Sequence, residues 1–104
     1  MKYFFTNETS KNPAKLNVES QELYKTESEA LKEGKRTWEH LTSGEQKKYK
    51  VEVGYQDLPD KKSDLSEYQL SLVDSEDLPE DLNEWEDTDI LGVIVEYDLI
   101  KTFE

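Results

Sequence analysis

Cysteine is absent from this chain of 104 residues. With it go disulfides, thiol nucleophiles and cysteine-built zinc centres. Histidine occurs once, as His40. No cysteine can partner it and no serine motif surrounds it, so no nucleophile–base pair is assembled. Its place at the end of a helical pattern suits it to the last helix carbonyls instead. Glycine stands only at positions 34, 44, 54 and 92, which leaves no glycine-rich loop to cradle a phosphate. Apolar residues make up only 34% of the chain, below the usual range of about 45–50%. No stretch approaches the roughly 18 apolar residues of a membrane span. The opening Met1-Lys2-Tyr3-Phe4-Phe5-Thr6 has too short an apolar run for a secretory signal. Carboxylate pairs are plentiful, but glycosidase chemistry needs a cleft that so little apolar material would struggle to build. Together these absences predict a non-enzymatic, cytoplasmic chain with no cofactor and no membrane segment.

What the chain has is charge, unevenly placed. Residues 1–52 carry ten Lys/Arg and nine Asp/Glu, whereas residues 53–104 carry three and sixteen. No basic residue lies between Lys62 and Lys101. A field of that sign repels nucleic acid and anionic membranes and attracts basic surfaces. Lys47, Lys48 and Lys50 around Tyr49 have the look of a nucleic-acid contact, but the net charge of −12 opposes it. They read as a solvated strand face paired with acidic neighbours.

The length and the eleven aromatic residues fit one domain, 1–104, with a modest two-layer core. Tyr3-Phe4-Phe5 predicts a strand over 2–6, followed by a loop over 7–14 rich in turn formers. Residues 15–25 could add a short strand pairing back on the first. Thr26-Glu27-Ser28-Glu29 is a capping box. Ala30, Leu31, Gly34, Trp38 and Leu41 then share one helical face, with Gly34 set for close contact with a strand. The helix should end near Leu41, and Thr42-Ser43-Gly44-Glu45 reads as a turn or a second cap. Residues 48–56 alternate as a half-buried strand, ended by the turn at Pro59. Residues 66–73 alternate again and predict a hairpin partner for it. Leu78, Leu82 and Trp85, at i, i+4 and i+7, predict a short acidic helix over 79–86 with Pro79 at its first position. Residues 90–97 form a near-continuous apolar run and predict a central strand, with Leu99, Ile100 and Phe103 continuing or closing the sheet. No internal repeat is read along the chain. The expected fold class is α+β: an antiparallel sheet of about four strands, one main helix on a face, and the short acidic helix at an edge.

Nine of the sixteen residues in 74–89 are acidic. Asp77, Glu80, Asp81, Glu84, Glu86, Asp87 and Asp89 are therefore candidate partner-binding carboxylates. Trp85 among them is either core or an interface anchor. The favoured reading is a non-catalytic domain that engages a basic protein surface. An alternative is a nucleic-acid mimic that inhibits a DNA- or RNA-binding enzyme, since duplex DNA carries one charge per ~1.7 Å. A second alternative is a small metal-binding protein. Asp87-x-Asp89-x-x-Gly92 with Asp98 follows part of a calcium-loop pattern, but Leu91 holds the fifth position and Asp98 the twelfth.

The capping box, then Trp38-x-x-Leu41-Thr42-x-x-Glu45, then the alternating strand resemble a pattern in small uncharacterised acidic proteins of Gram-positive bacteria, their phages and mobile elements. Some acidic proteins of such origin, anti-CRISPR and anti-restriction proteins among them, block nucleic-acid-binding enzymes. The resemblance covers about a quarter of the chain and carries over no functional residue.

Overall fold

A computed structural model describes residues 1–12 and 18–104. Its frame is a four-stranded antiparallel sheet in the order β2-β1-β3-β4, formed by β1 (Lys2–Ser10), β2 (Val18–Tyr24), β3 (Tyr49–Asp57) and β4 (Asp98–Phe103). The fold is α+β, as expected from the sequence. The expected strand over 2–6 runs further, to Ser10, so residues 7–10 are strand rather than loop. Asn7 and Thr9 are buried there, because pairing with β3 along its whole length outweighs their turn preference. Residues 13–17 of the loop and strand expectations lie outside the described residues.

The main helix α1 (Glu27–His40) starts where the capping box put it, with the Thr26 hydroxyl accepting from the Glu29 amide at 3.1 Å. Thr42 and Glu45 form a second, reciprocal box that opens α2 (Ser43–Lys48). Lys47 and Lys48 therefore sit on a helix, and only Lys50 lies in β3, 4.0 Å from Glu52. Helix α1 packs on the face of the sheet formed by Thr6, Val51 and Val53. Gly34 is the contact point: a Cβ there would lie 2.6 Å from Val53 Cγ2.

The chain between β3 and β4 departs most from expectation. Residues 66–73, expected as strand, contain α3 (Glu67–Ser71). The Ser66 and Gln69 side chains cap it reciprocally; Gln69, Leu70 and Val73 turn inward, while Tyr68 and Leu72 are exposed. The expected acidic helix over 79–86 is a 3-10 turn at Leu82–Glu84, and the true helix follows as α4 (Asp87–Gly92). Residues 90–97, expected as a central strand, hold the end of α4 and its exit. Ile90, Val93 and Ile94 are buried at i, i+3 and i+4, which is helical spacing hidden inside an apolar run. No hairpin joins β3 to this segment; β3 pairs with β1 and β4 instead.

The same segment is a tandem repeat, which corrects the expectation of a chain without one. Asp57-Leu58-Pro59-Asp60 recurs twenty residues later as Asp77-Leu78-Pro79-Glu80. Each copy continues through a one-residue bridge, a 3-10 turn and a short α-helix: Lys61, Lys62–Asp64 and α3, then Asp81, Leu82–Glu84 and α4. Lys61 and Asp81, equivalent positions, face each other in an antiparallel bridge. Lys62 N–H donates to the Glu80 carbonyl at 2.7 Å, and Leu82 N–H donates to the Asp60 carbonyl at 3.0 Å. Exchanging the two copies turns one bond into the other, so they are related by an approximate two-fold axis.

The pair covers the second face of the sheet. Leu58, Leu65, Leu82, Trp85, Ile90, Val93 and Ile94 pack with Phe5 in one buried cluster. Helix α4 lies against β2, an edge strand. The return to β4 is fastened by Gln56, whose Oε1 accepts from the Val95 and Glu96 amides at 2.9 and 3.1 Å. Tyr97 then stacks edge-on against Phe5, with ring centroids 4.9 Å apart. The result has three layers: α1, sheet and acidic repeat.

Gly34→Ala tests the first interface. Helix propensity favours alanine by about 1 kcal/mol, but the new methyl would strike a buried valine methyl. Overpacking of this kind costs about 1–3 kcal/mol. The variant is expected to lose stability in chemical denaturation, and a gain would show that α1 can lift from the sheet without cost.

Candidate functional site

The candidate site is the outer surface of the repeat, and its geometry follows from which positions face the core. In each copy Leu58 or Leu78, Leu65 or Trp85, Leu70 or Ile90, and Val73 or Val93 face inward. Many of the intervening positions are left to solvent, although Gln69 and Leu82 are buried. Asp57, Asp60, Asp64 and Glu67 are exposed in the first copy, and Asp77, Glu80, Glu84 and Asp87 are exposed at the equivalent places in the second. Four acidic positions are thus duplicated twenty residues apart.

Of the residues expected from sequence, Asp77, Glu80, Asp81, Glu84, Glu86 and Asp87 all reach solvent, and Asp89 is half-buried. They do not ride on one helix. Asp77 ends a 3-10 turn, Asp81 forms the bridge, with Glu80 just before it, Glu84 ends the next turn, and Glu86 precedes α4. Trp85 is a core residue, only 7% exposed. Its indole N–H donates to the Pro79 carbonyl at 2.8 Å, so its polar handle is not offered to a partner. Leu82 and Trp85 do pin the segment, as their spacing implied. The acidic residues of the first copy were missed. The signal that finds them is the recurrence of Asp-Leu-Pro-acid at an offset of twenty.

Lys62 organises this surface from beneath. It occupies the position equivalent to core Leu82, and its ammonium donates to the carbonyls of Ser75 at 2.6 Å and Leu78 at 2.8 Å. One buried-side cation thereby ties the link between the copies and is drawn away from the carboxylates outside. Glu80 reaches across the bridge and accepts from the Ser63 amide at 3.1 Å. Hydrogen bonds from Ser63, with Lys62 and Lys61 nearby, hold its carboxyl below the ordinary glutamate range. Asp74 goes the other way. Its hydrogen bond with Asp77, the like charge of Asp77 and that of Glu76 raise it above the ordinary aspartate range.

Beside the second copy lies a cleft of about 800 Å³ between the repeat and the ends of β1 and β2. Tyr3, Leu23, Tyr24, Leu82, Trp85 and Ile90 supply its apolar wall. Burial raises the Tyr3 hydroxyl above the ordinary phenol range, and Asp60 and Asp81 add to the effect. His40 is exposed at the far end of α1 and does not line the cleft. Among the described residues no group of three His, Asp or Glu is placed to hold a metal ion. Residues 87–92, proposed above as part of a calcium loop, are helical. No described helix is long and apolar enough to cross a membrane.

Comparison with known proteins finds no matching family model, no matching curated protein and no matching solved structure.

Two measurements check the site. Lys62→Met keeps the aliphatic stem and removes the donors to Ser75 and Leu78. Leaving those carbonyls without their charged partner is expected to cost about 1–3 kcal/mol. Amide exchange across 74–82 should accelerate while β1 and β3 stay protected; unchanged exchange would remove Lys62 from this role. Carbon-13 titration should find Glu80 ionising below the usual glutamate range and Asp74 above the usual aspartate range. The signs for stability are opposite. The Glu80 contribution is present above its unfolded pKa and lost as pH falls through the folded value. The Asp74 contribution is present at acid pH and lost as pH rises through its raised folded value.

Proposed function

We propose that this chain is a non-catalytic interaction domain that presents the acidic surface of its tandem repeat to a basic protein surface. The supporting observation is the duplication of four exposed acidic positions. Folding does not explain all of it. Glu67 and Asp87 sit in the first turns of α3 and α4, where the helix dipole favours an acid. Asp57, Asp60, Asp77 and Glu80 precede those turns, and the equivalent pairs share no contact. Asp57 meets the N-terminal amine at 3.2 Å while Asp77 bonds to Asp74. Glu80 accepts from Ser63, whereas the equivalent amide of Asn83 is taken by Asp81. Crowding like charges on one surface costs stability, and no shared contact within the fold offsets that cost. Other exposed equivalents differ freely, as Lys61 and Asp81 or Tyr68 and Thr88 do.

A surface of this kind speeds association with cations and rejects anions, and its reach shrinks with salt, over a screening length of about 8 Å at physiological ionic strength. Neutralising Glu80, Asp81, Glu84, Glu86 and Asp87 to their amides tests the second copy; the same change at Asp57, Asp60, Asp64 and Glu67 tests the first. Affinity capture at low salt, eluted by a salt gradient, should yield a partner on the parent chain that both variants release at lower salt. A partner held equally by the neutralised chains would overturn the proposal. Displacement of that partner by duplex DNA would identify it as a nucleic-acid-binding protein and support the narrower mimic reading.

A further inference from the structure

We infer that helix α3 carries the apolar anchor of this interface, and that its occupant is a basic amphipathic helix of the partner protein. The inference rests on the acidic-surface reading above. Tyr68 is 64% exposed and Leu72 43% exposed. Four residues apart on one helical turn, they share a face. Single exposed apolar residues need no explanation, but here the molecule contains its own control. The equivalent positions on α4 are Thr88 and Gly92. The same 3-10 turn and short helix are built there with an exposed threonine in place of Tyr68, while Gly92 is half-buried against Val73. In both copies the core is served by the next positions, Leu70 and Val73 or Ile90 and Val93. The Tyr68 ring is therefore surplus to folding, and the exposed part of Leu72 extends its apolar face.

Their surroundings select the occupant. Asp64, Glu67, Asp74 and Glu76, within four residues of them in the chain, are all exposed, and the nearest basic side chain in sequence, Lys62, is bound to backbone carbonyls. Nucleic acid and anionic membrane are repelled by that rim. A second copy of this chain, with net charge −12, is repelled as well. A helix with apolar residues at i, i+3 or i+4 offers groups at the spacing of Tyr68 and Leu72, while its Lys and Arg side chains reach the carboxylates beside them. Tyrosine suits an anchor because it supplies a large apolar contact with few rotors to freeze.

The probe is a synthetic lysine–leucine peptide with leucines at i, i+3, i+4 and i+7, set against a scrambled peptide of equal composition. Nuclear magnetic resonance and calorimetry follow both on the parent chain and on the Tyr68→Thr/Leu72→Ser double variant. The patterned peptide is expected to bind the parent at least about tenfold tighter than the scrambled one, with shifts centred on residues 67–72. The double variant should erase that advantage and keep the residual, salt-sensitive binding. Should the double variant fold poorly, Leu72→Ser alone reads the same comparison. Equal binding of both peptides to the parent would overturn the anchor and leave the acidic-surface reading intact. Failure of both peptides to bind at low salt would overturn both readings.

Discussion

Two backbone hydrogen bonds, from Lys62 N–H to the Glu80 carbonyl and from Leu82 N–H to the Asp60 carbonyl, join segments that charge alone would drive apart. The chain from 53 onward carries sixteen acidic residues and three basic ones. Side-chain electrostatics cannot organise such a segment, because most pairs repel. Its order comes instead from groups that carry no net charge. The bridge satisfies the backbone, and Leu58, Leu65, Leu82, Trp85, Ile90 and Val93 bury their apolar surface against Phe5. At about 25 cal/mol per Å² that burial is the favourable term available to offset repulsion. Lys62, set at a core-equivalent position, adds a cation that binds carbonyls rather than carboxylates.

The layering follows from the sheet. Alternation in β1 sends Thr6 toward α1 and Phe5 toward the repeat, so one central strand serves two interfaces. The α1 interface is tight and neutral, set by Gly34 against Val53. The repeat interface is broader and apolar beneath, acidic above. Charge asymmetry along the sequence thus becomes charge asymmetry across the molecule. A single copy of the repeat could not achieve this, since its bridge needs a partner strand. Two copies related by an approximate two-fold axis complete each other, and each brings four exposed acids to the surface.

Local signals were legible wherever the cause was local. The Thr26 cap and the Thr42–Glu45 box act within three residues; the first announced α1, and the second was legible as a turn or a cap. The alternation of 48–56 marked β3, and Gly34 on an apolar face foretold close approach to a strand. Errors came where a short pattern fits two periods. Tyr68, Leu70 and Leu72 alternate as a strand would, yet the Ser66–Gln69 cap decides for a helix and leaves two of the three exposed. Ile90, Val93 and Ile94 lie inside a run that looks continuous, yet only helical spacing buries them together. The repeat was visible too, in two copies of Asp-Leu-Pro-acid, but a four-residue match is faint until the bridge between Lys61 and Asp81 shows what it does.

By itself the sequence determined the charge, the lack of thiol and phosphate-loop chemistry, the main helix and the strands β1 and β3, because these depend on composition or on neighbours along the chain. Tertiary structure alone decided that Trp85 turns inward, that the carboxylates of 57–67 join those of 77–87, and that Tyr68 and Leu72 stay out. Those outcomes depend on which surfaces compete for one sheet face. That competition is settled between residues twenty or more apart in sequence, once the bridge has brought the two copies together.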